Sequence, residues 1–123
     1  PEVPGDPLLL VQVFQNLIAN AVRYRHSERQ LDIRIAAVVG NDQVRITVRD
    51  NGRGFAEDQA GRLFEPFVRL HPEVASEGTG IGLAICRRIV EAHGGRISAS
   101  ARADGGAEFT VTLLLRKDSP HGA

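Results

Sequence analysis

Two pairs of segments in which apolar and polar residues alternate constrain the fold of this chain most. In each pair, a turn sequence separates the two segments. In the first, residues 31–35 and 44–48 flank a turn of glycine, asparagine and aspartate. In the second, residues 97–101 and 109–115 flank an aspartate followed by two glycines. Alternation places every second side chain on one face of a strand. The pattern therefore predicts two β-hairpins.

A helix is predicted before each hairpin. Apolar residues recur at helical spacing over residues 7–24, just after the start signal Asp6, and again over 81–92, just before the stop signal Gly94-Gly95. The first helix is predicted to bury Leu10, Phe14, Leu17, Ile18 and Ala21. This order of elements predicts an α+β fold, a two-layer sandwich with a mixed, mainly antiparallel sheet and the helices on one face.

Composition indicates a single domain over residues 1–123, because 42% of its residues are hydrophobic, enough for one core. Fifteen basic residues balance fifteen acidic ones, so no broad surface for nucleic acid or for direct membrane contact is expected. Cys86 is the only cysteine and cannot form an internal disulfide. We expect a cytoplasmic module excised from a larger protein, with residues 116–123 as a frayed tail.

Three polar residues share one stripe of the first predicted helix. Asn16, Asn20 and Arg23 are spaced four and three residues apart, so their side chains lie on the same side. Amide oxygens can ligate Mg²⁺, and a guanidinium can offset phosphate charge. Taken alone, the same stripe also fits an ordinary solvated helix face.

The segment Asp50-Asn51-Gly52-Arg53-Gly54 directly follows a predicted strand. Its glycines permit a tight turn and the close approach of a ligand, and a carboxylate at a strand end can accept hydrogen bonds from an exocyclic amine. A plain turn is the alternative.

Alternate glycines open the second predicted helix in the segment Gly78-Thr79-Gly80-Ile81-Gly82-Leu83. Backbone N–H groups at a helix start favour phosphate. A flexible hinge capped by Thr79 is the alternative.

Two phenylalanines, Phe64 and Phe67, stand near the loop 68–77 and after a short helical turn predicted at 58–64. They are able to anchor a mobile lid or simply to belong to the core. No histidine is assigned a catalytic role, and Cys86 is predicted to pack as a small apolar residue.

These motifs, in this order, jointly resemble the catalytic ATP-binding domain of sensor histidine kinases over roughly residues 5–115. The segments QVFQNLIANAVRYR and VRLHPEVASEGTGIGLAICRRIVEAHGG are similar to kinases attached to PAS or phytochrome sensors. The resemblance implies the Bergerat-type fold, which gyrase, mismatch-repair and chaperone ATPases share. It also implies ATP and Mg²⁺ as ligands.

Carried over by motif, the resemblance implies that Asp50 accepts the adenine amino group beside a wall formed by Gly52 and Gly54. Asn20 would hold Mg²⁺. Contacts with the triphosphate or its water shell would come from Asn16, Arg23 and Tyr24, of which Asn16 and Arg23 are the catalytic candidates. The lid end and the phosphate-facing helix start would comprise Gly78, Thr79, Gly80, Gly82 and Leu83. Phe64 and Phe67 would position the lid.

Three departures from the family pattern are visible. Arg23 replaces the more usual lysine or histidine, Ala107 stands where a serine or threonine is common, and the lid 68–77 is short. None removes a nucleotide-binding residue, so they bear on affinity or on ordering of the lid.

The implied function is transfer of the γ-phosphate of Mg-ATP to a histidine on a separate dimerisation domain, and from there to the receiver domain of a response regulator. An upstream sensor domain and a homodimeric full-length kinase are implied as well. ATP hydrolysis is disfavoured because Asn16 stands where related hydrolases carry a glutamate, and an amide cannot take up a proton at neutral pH. A regulatory ATP-binding module without histidine phosphorylation is the alternative.

Overall fold

The computed structural model describes residues 4–67 and 81–115. Its elements are α1 (Pro7–Arg23), β1 (Ile33–Val39), β2 (Gln43–Asp50), a 3-10 helix (Glu57–Arg62), α2 (Gly82–Ala92), β3 (Arg96–Ala101) and β4 (Ala107–Leu114). Both predicted helices and both predicted hairpins are present. The loop 68–77, the residues Gly78, Thr79 and Gly80, and the tail 116–123 lie outside the described residues.

The first helix begins where the sequence predicts, because Asp6 caps it. The Asp6 carboxylate accepts hydrogen bonds from the backbone N–H groups of Leu8, at 2.9 Å, and Leu9, at 3.4 Å. Such a cap satisfies donors that have no partner within the helix and contributes about 1 kcal/mol. The backbone N–H of Asp6 in turn donates to Nε2 of His93, at 3.0 Å, just beyond the end of α2. The two helices are therefore joined where α1 starts and α2 ends.

The four described strands form one antiparallel sheet in the order β1-β2-β4-β3. Each hairpin pairs within itself, and the pairing of β2 with β4 joins the two hairpins. In that central pairing Arg49 lies opposite Glu108. The end of β2 is therefore beside the start of β4, which places Asp50 next to Ala107. The predicted α+β sandwich is confirmed.

The core lies between the two helices and one face of the sheet. Its fully buried side chains are Leu17, Val13, Val48, Val90, Val111 and Cys86. Each apolar side chain of this size contributes about 1.5–3 kcal/mol when it is removed from water. The prediction that Ile18 belongs to this core is wrong, since it is 37% exposed and Val13 is buried instead. Cys86 packs as a small apolar residue, as predicted.

The edge strand β1 is exposed along most of its length. By register, Ile35 and Val39 lie opposite Val48 and Val44, so they face the helical side of the sheet, yet they are 54% and 56% exposed. The alternating pattern here predicts a half-buried strand, whereas the observed strand lies at the end of the strand order and is mostly exposed. Among the described residues, no helix is long and apolar enough to cross a membrane.

Candidate functional site

An open cavity lies between α1, the start of α2 and the ends of β2 and β4. Its empty volume is about 840 Å³, a figure that includes open solvent at its mouth. Its lining residues are Asn16, Ala19, Asn20, Arg23, Tyr24, Asp50, Gly54, Phe55, Leu63, Gly82, Leu83, Ala107 and Phe109.

The helix α1 supplies the polar wall of the cavity. Asn16, Asn20 and Arg23 all line it, together with Tyr24, which caps the end of the helix. Their spacing places them beside the buried stripe of Val13, Leu17 and Ala21, so the packing of that stripe fixes the direction of the polar side chains.

Asn16 is tied to the core as well as to the cavity. Burial raises the pKa of the Cys86 thiol to about 11, and a hydrogen bond with the Asn16 side chain partly offsets that increase. Cys86 itself donates to the backbone carbonyl of Val13 at 3.6 Å. These contacts hold α1 and α2 in a fixed relation beside the cavity.

The Asp50 carboxylate is the acidic group of the cavity, and only 5% of the residue is exposed. Its Oδ1 accepts hydrogen bonds from the backbone N–H groups of Gly52, at 2.9 Å, and Ala107, at 3.3 Å. Burial raises the pKa of Asp50, while these two bonds and the positive charge of Arg102 oppose that increase. Both backbone bonds use Oδ1, so Oδ2 is outside them.

The turn after Asp50 needs its two glycines for packing. A side chain at Gly52 would come within 2.7 Å of the Tyr24 carbonyl oxygen, and Gly54 has φ +65° and would meet the Gly106 carbonyl oxygen at 2.6 Å. The backbone N–H of Arg53 donates to the same Tyr24 carbonyl at 2.9 Å. Gly54 lines the cavity, whereas Gly52 lies behind it against the end of α1.

Asn51 also fixes this turn, a role that the sequence analysis missed. Its Oδ1 accepts from the backbone N–H of Asp32 at 2.9 Å, and its Nδ2 donates to the Gln30 carbonyl at 2.8 Å. The backbone N–H of Asn51 donates to the Asp32 carbonyl at 3.2 Å. The loop before β1 is thereby fastened to the turn that follows β2.

At the start of α2, Gly82 and Leu83 line the cavity. A side chain at Gly82 would meet no atom of the described residues outside its own helix within 4 Å, so packing against that part of the chain does not require a glycine there. The other residues of this motif, Gly78, Thr79 and Gly80, lie outside the described residues.

The two phenylalanines before the loop have different environments, and neither lines the cavity. Phe64 is buried and packs edge-on against Phe109, with ring centroids 6.2 Å apart. Phe67 is 73% exposed and has φ +67°, so it is not a core residue.

The apolar walls of the cavity were not predicted. They consist of Ala19, Phe55, Leu63, Ala107 and Phe109. Phe55 directly follows the glycine turn, which is a usable local signal. Ala107 and Phe109 reach the cavity only because β4 pairs with β2, and the sequence does not reveal that pairing.

Within residues 4–67 and 81–115, no group of three or more histidine, cysteine, aspartate or glutamate side chains is arranged to hold a metal ion. Among the described lining residues, those with oxygen atoms in their side chains are Asn16, Asn20, Tyr24 and Asp50. This donor set suits a cation that takes most of its ligands from a bound anion and from water, as Mg²⁺ does with phosphates.

The chain matches the family model described as histidine kinase-, DNA gyrase B-, and HSP90-like ATPase over residues 5–117. It is 43% identical to cyanobacterial phytochrome A of Nostoc sp. over 113 residues, which cover 92% of this chain but only 15% of the phytochrome. Other curated relatives are named as signal transduction or sensor histidine kinases. The chain spans only a minor part of these relatives.

Solved structures share the fold. The nucleotide-free catalytic domain of histidine kinase ThkA has a TM-score of 0.75 and 30% identity, and the match covers 92% of this chain and 70% of that one. Full-length ShkA, in complex with AMPPNP, has a TM-score of 0.77 and 30% identity, with 96% of this chain and 24% of that chain covered. The predicted similarity to histidine kinases and to a phytochrome is confirmed.

Proposed function

The chain belongs to the family of histidine kinase-, DNA gyrase B- and HSP90-like ATPases, as a catalytic domain of the histidine kinase type, and we propose that it binds Mg-ATP and presents the γ-phosphate to a histidine on another domain. One observation carries the proposal. A buried carboxylate, Asp50, and the polar stripe of Asn16, Asn20 and Arg23 line the same cavity.

Asp50 is proposed to recognise adenine. An ionised carboxylate only accepts hydrogen bonds, so it pairs with the amino group of adenine and repels the carbonyl oxygen that guanine has at that position. The backbone bonds to Oδ1 fix the carboxylate and keep Oδ2 outside them. Phe55, Leu63 and Phe109 are apolar walls suited to the faces of a base.

The polar end of the cavity is proposed to hold the triphosphate and its cation. Asn20 would ligate Mg²⁺ through its amide oxygen, and Asn16, Arg23 and Tyr24 would contact phosphate oxygens or their water shell. A Mg²⁺ ion held there would offset the negative charge of the phosphates. Gly82 and Leu83 would bring the start of α2 close to the phosphates, and Gly78, Thr79 and Gly80 are proposed to extend that contact. Gly52 and Gly54 keep the turn in shape, and Phe64 and Phe67 are proposed to flank the base of the lid.

Transfer to a histidine elsewhere is favoured over hydrolysis. Asn16 is an amide and cannot activate water as a base. The two described histidines are engaged locally: His26 accepts from the backbone N–H of Glu28 at 3.1 Å, and His93 joins Asp6 to the carbonyl of Ile89. Positioning the γ-phosphate for an external nucleophile needs no covalent chemistry from this domain.

For the whole protein we propose the arrangement that the kinase relatives suggest. It comprises a histidine-bearing dimerisation domain as phosphate acceptor, a receiver domain of a response regulator as the next acceptor, an upstream sensor domain, and a homodimer in the cytoplasm. The relatives are named as kinases and give no support to a purely regulatory module.

Titration calorimetry with Mg-ATP and Mg-GTP tests the binding proposal. We expect ATP to bind at least about tenfold more tightly than GTP, because the wrong base leaves a buried carboxylate opposite a carbonyl oxygen. Equal affinities for the two nucleotides would remove Asp50 from its proposed role.

A further inference from the structure

A guanidinium lies behind the Asp50 carboxylate, on the turn between β3 and β4. Arg102 Nη1 donates to the backbone carbonyl of Asp50 at 3.0 Å, and Nη2 forms an ion pair with Asp104 at 2.9 Å. The Arg102 side chain is 25% exposed, so most of it is removed from water. A charged hydrogen bond in such a place is stronger than one at the surface.

The backbone of the same turn fixes the direction of this side chain. The N–H of Arg102 donates to the Gly106 carbonyl at 3.2 Å, and the N–H of Gly105 donates to the Arg102 carbonyl at 3.1 Å. Gly106 has φ +96° and packs so closely on the Asp50 carbonyl that a side chain there would collide with it. The turn 102–106 is thus built against the end of β2.

A second guanidinium holds the next part of the Asp50 turn from another side. Arg29 Nη2 donates to the Gly52 carbonyl at 3.1 Å, and the Arg29 guanidinium rests against Gly105. Two consecutive segments of the turn are therefore held by cationic donors that belong to the loop after α1 and to the β3–β4 turn.

The side chain of Ala107 adds no hydrogen bond to the two backbone bonds that the Asp50 carboxylate accepts. Ala107 provides only its backbone N–H, at 3.3 Å, and its methyl group has no hydrogen-bond donor. Burial raises the pKa of Asp50, and the charge of Arg102 opposes that increase. Arg102 therefore acts on both the position and the ionisation of the group that faces the cavity.

We propose that Arg102 is a positioning residue for base selection: its guanidinium holds the backbone carbonyl of Asp50, in the place where Ala107 offers no hydroxyl. This inference rests on the proposed role of Asp50 in binding adenine. It assigns to Arg102 no contact with the nucleotide.

The expected pH dependence follows from the charges around Asp50. Among the described residues, the other charged or titratable side chains that line the cavity are Arg23 and Tyr24, while Arg29 and Asp104 lie behind the turn. From α2 and β4, only Gly82, Leu83, Ala107 and Phe109 line the cavity. The ionised form of Asp50 pairs with the amino group, so selectivity is lost as the pH falls through its pKa. Removal of Arg102 raises that pKa and shifts the loss to higher pH.

The test compares ATP with purine riboside triphosphate, which lacks the exocyclic amino group, by calorimetry between pH 5 and pH 8. The ratio of the two affinities cancels the titration of the triphosphate and isolates the Asp50 contact. We expect Arg102→Met to lower this ratio about fivefold or more at neutral pH. It should also move the acid limb, the pH range over which the ratio falls on acidification, to higher pH. Arg96→Met, at the other end of β3, removes the same charge from an exposed site and should change neither.

The positioning role is overturned if Arg102→Met changes neither the ratio of affinities nor its acid limb. An equal loss of affinity for both nucleotides, with no shift in the pH dependence, is such a result. If the methionine variant shows no cooperative melting, Arg102→Lys decides: an acid limb like that of the wild type supports the role of the charge, and a limb displaced upward despite the retained charge contradicts it. Failure of the wild type to prefer ATP over the analogue would instead contradict the proposed role of Asp50 in binding adenine.

Discussion

The backbone N–H of Ala107 donates to Oδ1 of Asp50 at 3.3 Å, although 57 positions separate the two residues in the sequence. This bond exists because β4 pairs with β2 in the centre of the sheet. The buried carboxylate thus lies at the end of the central strand β2, and it lines the same cavity as the polar stripe of α1.

Replacing Asp50 by asparagine is expected to separate binding from stability. Burial raises the pKa of Asp50 above its unfolded value, so the protonated carboxyl favours the folded state. The stability that this group contributes is fully present below the unfolded pKa and is lost as the pH rises through the folded pKa. Asp50→Asn removes the buried charge and keeps an oxygen able to accept from Gly52 and Ala107. We predict a higher Tm at pH 7, with a difference that shrinks as the pH falls.

The same variant should bind ATP at least about tenfold more weakly, because the charged acceptor opposite the amino group is lost. Calorimetry and thermal melting of one preparation measure both effects. A lower Tm, or unchanged ATP affinity, would contradict this account of Asp50.

Asn20→Ala is predicted to weaken binding of Mg-ATP more than binding of metal-free ATP. A lost amide ligand matters only when the cation is present. Titrations in Mg²⁺ and in EDTA give the two affinities. Gln15→Ala, an exposed amide on the same helix outside the cavity, is the matched control and should change neither. Equal losses in both conditions would exclude Asn20 from the metal site.

Gly82→Ala is predicted to retain the stability of the ligand-free domain and to reduce ATP affinity. A side chain at this position meets no atom of the described residues outside its own helix within 4 Å, and alanine favours a helix more than glycine does. Only a ligand close to the backbone would require glycine there. Thermal melting and ATP titration measure the two effects. Gly61→Ala, also in open space but away from the cavity, serves as the control, and a destabilised Gly82→Ala would mean that the fold itself needs the glycine.

Cys86 is predicted to report unfolding rather than surface chemistry. The thiolate is the reactive form, and burial raises the pKa of this thiol to about 11 while excluding reagent from a side chain with 0% exposure. Iodoacetamide at pH 8 should label the native domain only as fast as it unfolds, and saturating Mg-ATP should slow the reaction further. Fast labelling of the native protein that ATP does not affect would refute the buried placement.

Local patterns predicted the elements, and long-range pairing determined the rest. The Asp6 cap and the stripe of Asn16, Asn20 and Arg23 are properties of one helix, so spacing alone was sufficient. Ala107 and Phe109 line the same cavity as Asp50 because β4 pairs with β2. Hairpin signals in the sequence do not specify which hairpins pair with each other. Phe67 illustrates the same limit, since its spacing from Phe64 fits a core pair while its backbone turns it outward at φ +67°.

Incubation with γ-labelled ATP and Mg²⁺ tests the central claim most directly. We predict that this chain alone becomes neither phosphorylated nor a rapid ATPase, because Asn16 cannot activate water. Addition of a histidine-bearing dimerisation domain, tethered or in trans, should yield an acid-labile, base-stable phosphoprotein, and substitution of that histidine should abolish the label. Strong labelling of this chain alone, or rapid ATP turnover without the second domain, would contradict the proposed division between phosphate donor and acceptor.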